Sequence, residues 1–158
     1  MEKLNQEIGQ ALYTLRHSSD NRSKERQWIV ENLGDKQLEK EVNSLSVVAL
    51  HALSNLISSD LTGIELAAKL HVTRGGITRA MQNLVKFDMV STASDENDSR
   101  KLYYHLTEKG QKVAHFHDEL HKIMDARFDQ VFAKYDEQQK QIILDFLTDF
   151  NKAKTEFE

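Results

Sequence analysis

The helical period of this chain breaks once, at Asp88, and few folds accommodate the way it breaks. Before it, "LTGIELAAKLHVTRGGITRAMQNL" (residues 61–84) holds two short amphipathic segments back to back. Thr62 and Glu65 have capping-box spacing, with the Thr hydroxyl accepting from the N3 N–H and the Glu reaching back to the N-cap N–H. The helix they open buries Leu66, Ala67 and Leu70. His71 and Val72 then make a tight turn. Thr73 caps a second helix, through about Phe87, with Ile77, Met81, Leu84 and Val85 turned inward. After the break, "MVSTASDENDSRKLYYHLT" is rich in Val, Thr, Tyr and Leu at both ends and polar in the middle. Residues 89–93 and 101–106 read as two strands joined by a loop over 94–100. A helix–turn–helix followed at once by a hairpin is a winged helix.

The flanks are helical. Leu4, Ile8, Ala11, Leu12 and Leu15 share one face of a first helix. Residues 18–43 are polar apart from Trp28, Ile29 and Leu33, a short helix that Gly34 ends. Ser46 caps a buried helix carrying Val47, Leu50, Leu53, Leu56 and Ile57. Thr107 caps a long helix with Val113, Phe116, Leu120, Ile123, Phe128 and Val131 as its stripe, and Asp136 caps a last one with Ile142, Ile143, Phe146, Leu147, Phe150 and Phe157. The terminal stripes lie outside the winged unit. Intrachain packing is one outlet for them; a helical dimer interface is favoured, because first and last helices together form a satellite layer. The expected fold is mainly α with a small β-hairpin wing, a winged helix-turn-helix flanked by N- and C-terminal dimerisation helices. Its segments are 1–45 (N-terminal dimerisation), 46–107 (DNA-binding region, wing about 89–106) and 108–158 (C-terminal dimerisation).

A chain of 158 residues suits one domain or one protomer, and 39% hydrophobic against 29% charged residues allows a modest core. There is no cysteine, which excludes disulfides, cysteine metal sites and thiol redox sensing. No apolar run approaches a membrane span, and the first ten residues lack the apolar stretch of a signal peptide, so a cytoplasmic protein is expected. The net charge of −4 argues weakly against nucleic acid, but residues 69–87 hold Lys69, Arg74, Arg79 and Lys86 and no acid. That stretch is +4 and the remainder −8. A basic element on an acidic body is an electrostatic footprint for nucleic acid, and it contradicts a winged helix that has given up DNA for a protein partner. No phosphate-binding glycine loop, nucleophile elbow or cysteine nucleophile is present, so an enzyme is not expected.

A recognition helix sets its N-terminal residues against base edges in the major groove. Here that face offers Arg74, Gly75, Gly76, Thr78, Arg79, Gln82, Asn83 and Lys86. Arg74 and Arg79 can grip guanine edges or phosphates, Gln82 can pair with adenine, and Thr73 and Thr78 offer hydroxyls to phosphates beside the free N–H groups of the helix start. The plain alternative is a solvated helix face. Gly75 and Gly76 are poor first-turn residues, each costing about 0.5–1 kcal/mol against alanine in a helix interior. Close approach of backbone to DNA accounts for them; tight packing on the preceding helix is the competing reason.

These elements, in this order, resemble the MarR family of bacterial transcriptional regulators. The matching stretches are "LSVVALHAL" (45–53), residues 61–84, "SDENDSRKLYYHLTEKG" (94–110) and the helical tail, with residues 18–44 matching least. The most specific is the wing, where Asp95, Asp98 and Arg100 fit the family's D-x-x-D-x-R pattern ahead of "LTEKG". The resemblance implies a homodimer, a repressor placing two recognition helices in adjacent major grooves of a pseudo-palindromic operator. It also implies loosening by a small ligand, often aromatic or anionic, whose binding residues the sequence does not identify. Arg100 then takes the wing tip's minor-groove arginine position, Asp98 orients it or braces the hairpin, and Lys101 adds a phosphate contact.

"HFHDELHK" places His117 and His121 at i, i+4 on one helix face, a spacing that can bind zinc, with His115 nearby. The position resembles the one where zinc-uptake repressors of this family carry two histidine ligands. Those regulators draw further ligands from their first two helices. On the match to "LSVVALHAL", Val48 stands where the next histidine is expected and His51 comes three residues later, with His17 and Glu25 as other possible donors. Zinc at His117 and His121 is therefore the alternative reading of the effector; solvated or interface histidines, or a pH-sensitive interface, are the others.

Overall fold

The computed structural model describes residues 2–17, 20–95, 98 and 101–155, and describes no side chain at 2, 13–17, 20–23 or beyond 153. Leu15, His17, Arg100 and Phe157, named above, thus lie outside the described side chains. The order is α1 (Glu2–His17), α2 (Asp20–Leu33), α3 (Lys36–Ser44), α4 (Val47–Asn55), β1 (Leu61–Thr62), α5 (Gly63–Lys69), α6 (Arg74–Lys86), β2 (Val90–Ser94), β3 (Leu102–Leu106), α7 (Glu108–Phe132) and α8 (Glu137–Thr155).

A chain without proline starts its helices by side-chain capping. Asp35 accepts from the N–H groups of Gln37 and Leu38, Ser46 from Ala49 and Thr73 from Gly76. Thr62 and Glu65 form the complete capping box. Thr107 Oγ1 caps α7 through the Gly110 N–H and Asp136 Oδ1 caps α8 through the Gln139 N–H. Each satisfies a donor that the first helical turn leaves orphaned.

The chain divides into two compact units, residues 1–120 and 121–158, and the boundary falls inside α7, whose helix runs through it unbroken. In the first unit, Leu50 and Leu53 of α4, Leu66 of α5 and Ile77, Met81 and Leu84 of α6 are buried with Val113 of α7. The three strands are antiparallel in the order β1-β3-β2. Val90 faces Leu106 and Ser94 faces Leu102 across the wing, while Leu61 pairs with Tyr104. In the second unit no described side chain is buried. Phe128, Val131 and Phe132 of α7 and Ile142, Leu144 and Phe146 of α8 are all more than two-fifths exposed. Among the described residues, no helix is long and apolar enough to cross a membrane.

Three expectations need correction. The polar stretch expected to hold one short helix holds two: Gly34 (φ +65) ends a 14-residue α2, and Asp35 opens a nine-residue α3 that buries Leu38 and Val42. A third strand, β1, joins the wing; at two residues it is too short to show a period. Val85 is 42% exposed, because the buried stripe of α6 runs through Ile77, Ala80, Met81 and Leu84 and leaves residue 85 at its margin.

Candidate functional site

The sequence directs α6 outward at both ends. Its start is Thr73, fixed as N-cap because Oγ1 accepts from Gly76 N at 3.1 Å. Arg74, Gly75, Thr78, Arg79, Gln82, Asn83 and Lys86 are exposed along its free face, with Gly76 half-buried. α6 carries no acid, so this face is wholly basic and neutral-polar. The Thr78 hydroxyl donates to Arg74 O at 2.8 Å, so its proton is committed to the helix and its oxygen is what faces outward. Lys86 Nζ lies 5.7 Å over the ring of Phe87.

The wing brings a further cation to this face. Lys101 lies just before β3 and is exposed; its N–H donates to Asp98 O at 2.9 Å. The Asp98 N–H in turn donates to Asp95 Oδ1 at 3.1 Å. Arg74 and Thr78 of α6 share one cleft of about 450 Å³ with Lys101, Tyr103 and Ile64. Burial raises the Tyr104 phenol pKa there, keeping it protonated and apolar on its ring side. Gln82 and Thr78 line the other flank of the helix with Thr92 and Leu102. Neither glycine is pressed against a neighbouring helix: a Cβ at Gly75 would meet nothing within 4 Å, and one at Gly76 would meet only the cap, Thr73 Oγ1, at 3.3 Å. Packing on the preceding helix is therefore not the reason for the pair.

The histidines converge more closely than the sequence indicated. His117 is 1% exposed, and its ring meets that of His51 of α4 edge-on, centroids 4.9 Å apart at 87°. His117 Nδ1 is 2.6 Å from Ser54 Oγ. His121 follows one turn along α7, and His51, His117 and His121 each present one ligand atom within 4.8 Å of the others. Val48, expected to take the place of the missing histidine, is half-buried and carries no ligand. His51, three residues on, shares a helix face with that position and is the α4 residue that joins the group. His115 points elsewhere, 3.3 Å from Glu119. Glu25 is not part of the group, and His17 lies outside the described side chains.

A basic helix projecting from a helical core beside a three-stranded wing sheet defines a winged helix-turn-helix of the DNA-binding class. The comparisons then narrow the class. The transcriptional regulator AdcR of Streptococcus pneumoniae is 33% identical over 98 residues, covering 62% of this chain and 67% of that protein. The crystal structure of ZitR from Lactococcus lactis, a zinc-responsive MarR family member, superposes with a TM-score of 0.73 at 21% identity, over 98% of this chain and 99% of that one. Streptococcus pneumoniae FabT, solved in complex with DNA, gives 0.65 at 21% identity over the same 98% and 99%. No family model matches the sequence. The chain belongs to the MarR family of winged-helix transcriptional regulators. These relatives are named as regulators of transcription.

Proposed function

We propose that this chain is a homodimeric repressor that binds a pseudo-palindromic operator, with α6 in the major groove and the wing in the minor groove. The observation that carries this is the convergence of Arg74 and Thr78 from α6 with Lys101 from the wing in one cleft. Thr73, Gly75, Gly76, Arg79, Gln82 and Lys86 complete the DNA face, and Arg100 and Asp98 act at the wing tip. Residues 46–107 serve as the DNA-binding region between dimerisation segments 1–45 and 108–158. The exposed apolar stripes of residues 121–158 support a partner copy there. One relative in this fold was solved with DNA.

Zinc is the effector this reading favours, carried by the group of His51, His117 and His121. Three neutral imidazoles are a suitable donor set for zinc at about 2.0–2.1 Å, leaving a fourth position for water or a carboxylate. Ser54 at His117 Nδ1 leaves Nε2 as the nitrogen a metal would take, the arrangement that orients histidine ligands. When bound, the ion would tie α4 to α7 by ligand bonds. One structural relative is zinc-responsive.

The test is selection of duplexes from a random library, followed by salt-titrated fluorescence anisotropy. Two half-sites one helical turn apart, about 10–10.5 bp, are expected. Arg74→Ala and Lys101→Ala should each lower the salt slope by about one. No preference for any selected duplex over a scrambled one would overturn the DNA reading.

A further inference from the structure

The corner where α6 turns into the wing is held by the first turn of α7. α6 closes with Asp88 in the left-handed region (φ 56), the Met89 N–H donating to Leu84 O at 2.9 Å and the Asp88 N–H to Val85 O at 3.0 Å. That leaves three successive carbonyls, of residues 87, 88 and 89, and residues 107 and 109 take all of them. The Thr107 N–H donates to Met89 O at 3.2 Å, Thr107 Oγ1 to Asp88 O at 2.7 Å, and Lys109 Nζ to Phe87 O at 2.7 Å. Gly110 permits the approach, since a Cβ there would run into Met89 O.

Lys109 differs from the other two donors because its ammonium also pairs with Glu41 Oε2 of α3, at 2.5 Å. Glu41 is well shielded, with 11% of its side chain exposed, and Gln37 donates to its other oxygen at 3.0 Å. α6 packs broadly on α4, α5 and β2, and α3 is not among these broad partners. The ammonium is thus a polar tie between α3 and the C-terminal end of α6. A cation suits that end of a helix, where carbonyl dipoles converge, and a charge-assisted hydrogen bond fixes direction as well as distance.

We infer that Lys109 is a positioning residue for DNA reading: held by Glu41, it fixes the C-terminal end of α6 and so the angle at which that helix meets base edges. The inference rests on α6 being the helix that reads DNA. Lys109 touches no base in this scheme. Its loss should spoil discrimination between sequences, which depends on geometry, and spare the non-specific attraction, which depends on the number of phosphate contacts.

The experiment compares the duplex selected by the wild-type protein with a scrambled duplex of equal length, across a salt series. Lys109→Met keeps the alkyl stem and removes the charge. It should weaken binding to the selected duplex about tenfold, with affinity for the scrambled duplex and the salt slope unchanged. Glu41→Gln should shift the same ratio in the same direction, and the double variant should be no worse than Lys109→Met, as expected for two members of one unit. Lys109→Arg should retain the ratio. If Lys109→Met fails to fold, Glu41→Gln carries the comparison alone. Equal losses on both duplexes with a slope lowered by about one would make Lys109 a phosphate contact and overturn the inference. So would lower thermal stability with the ratio intact. A wild-type protein that cannot tell the two duplexes apart would instead sink the DNA reading itself.

Discussion

Gly75 has open space where a Cβ would go, and its φ is not in the left-handed region, so neither packing nor backbone conformation requires glycine there. Gly75→Ala should therefore stabilise the protein by about 0.5–1 kcal/mol while weakening DNA binding. Urea unfolding and anisotropy on the same preparation check both halves; a variant that is more stable and binds equally well would remove the close-approach role. Gly110 is the opposite case, a glycine demanded by the Met89 carbonyl, and nothing in its local sequence marks the difference. Ser54 was also invisible in the sequence, because its partner His117 is 63 residues away. Ser54→Ala should lower zinc affinity by about 10–100-fold without changing zinc stoichiometry, measured by competition with a chromophoric chelator. Unchanged affinity would mean that the hydrogen bond only fills space.

Elements were legible wherever the cap and the apolar stripe agreed. Thr62 with Glu65, Thr73 and Thr107 fixed their helices to within a residue. α2 and α3 were obscured because their buried residues, Ile29, Leu33, Leu38 and Val42, straddle Gly34 and do not form one stripe. The same capping that sets the elements makes them acid-sensitive. The backbone N–H groups of Leu38 and Gln37 hold the Asp35 carboxyl below its ordinary value, and Thr62 does the same for Glu65. Burial pushes Glu41 up, but the paired Lys109 ammonium and the hydrogen bond from Gln37 outweigh that and leave it lowered. A lowered carboxyl adds stability that is complete above the unfolded pKa, near 4.5 for Glu, and is lost as pH falls through the folded value. Unfolding free energy should thus fall on acidification below about pH 5. The Glu41→Gln curve should lie under the wild type at pH 7 and meet it in acid. Parallel curves would deny Glu41 its part.

For the whole molecule, the sequence carried the architecture and the exposed basic face of α6, because both are set by local periodicity, capping and charge. It marked His51 only as lying three residues past the expected position, because its convergence with His117 and His121 comes from the packing of α4 against α7. A protein that displays apolar side chains along residues 123–147 should be a dimer at micromolar concentration by analytical ultracentrifugation, and a monomer there would remove the paired-groove geometry. A metal joining His51 of α4 to His117 of α7 orders two elements that frame the winged unit, so less ordering is left for DNA to impose. The decisive measurement is anisotropy of the selected duplex at fixed salt, with zinc buffered at nanomolar free concentration or removed by chelator. Zinc should tighten wild-type binding tenfold or more, about 1.4 kcal/mol of coupling, and leave His51→Ala unaffected. Equal affinity of the wild-type protein in both conditions would contradict a zinc-governed regulator.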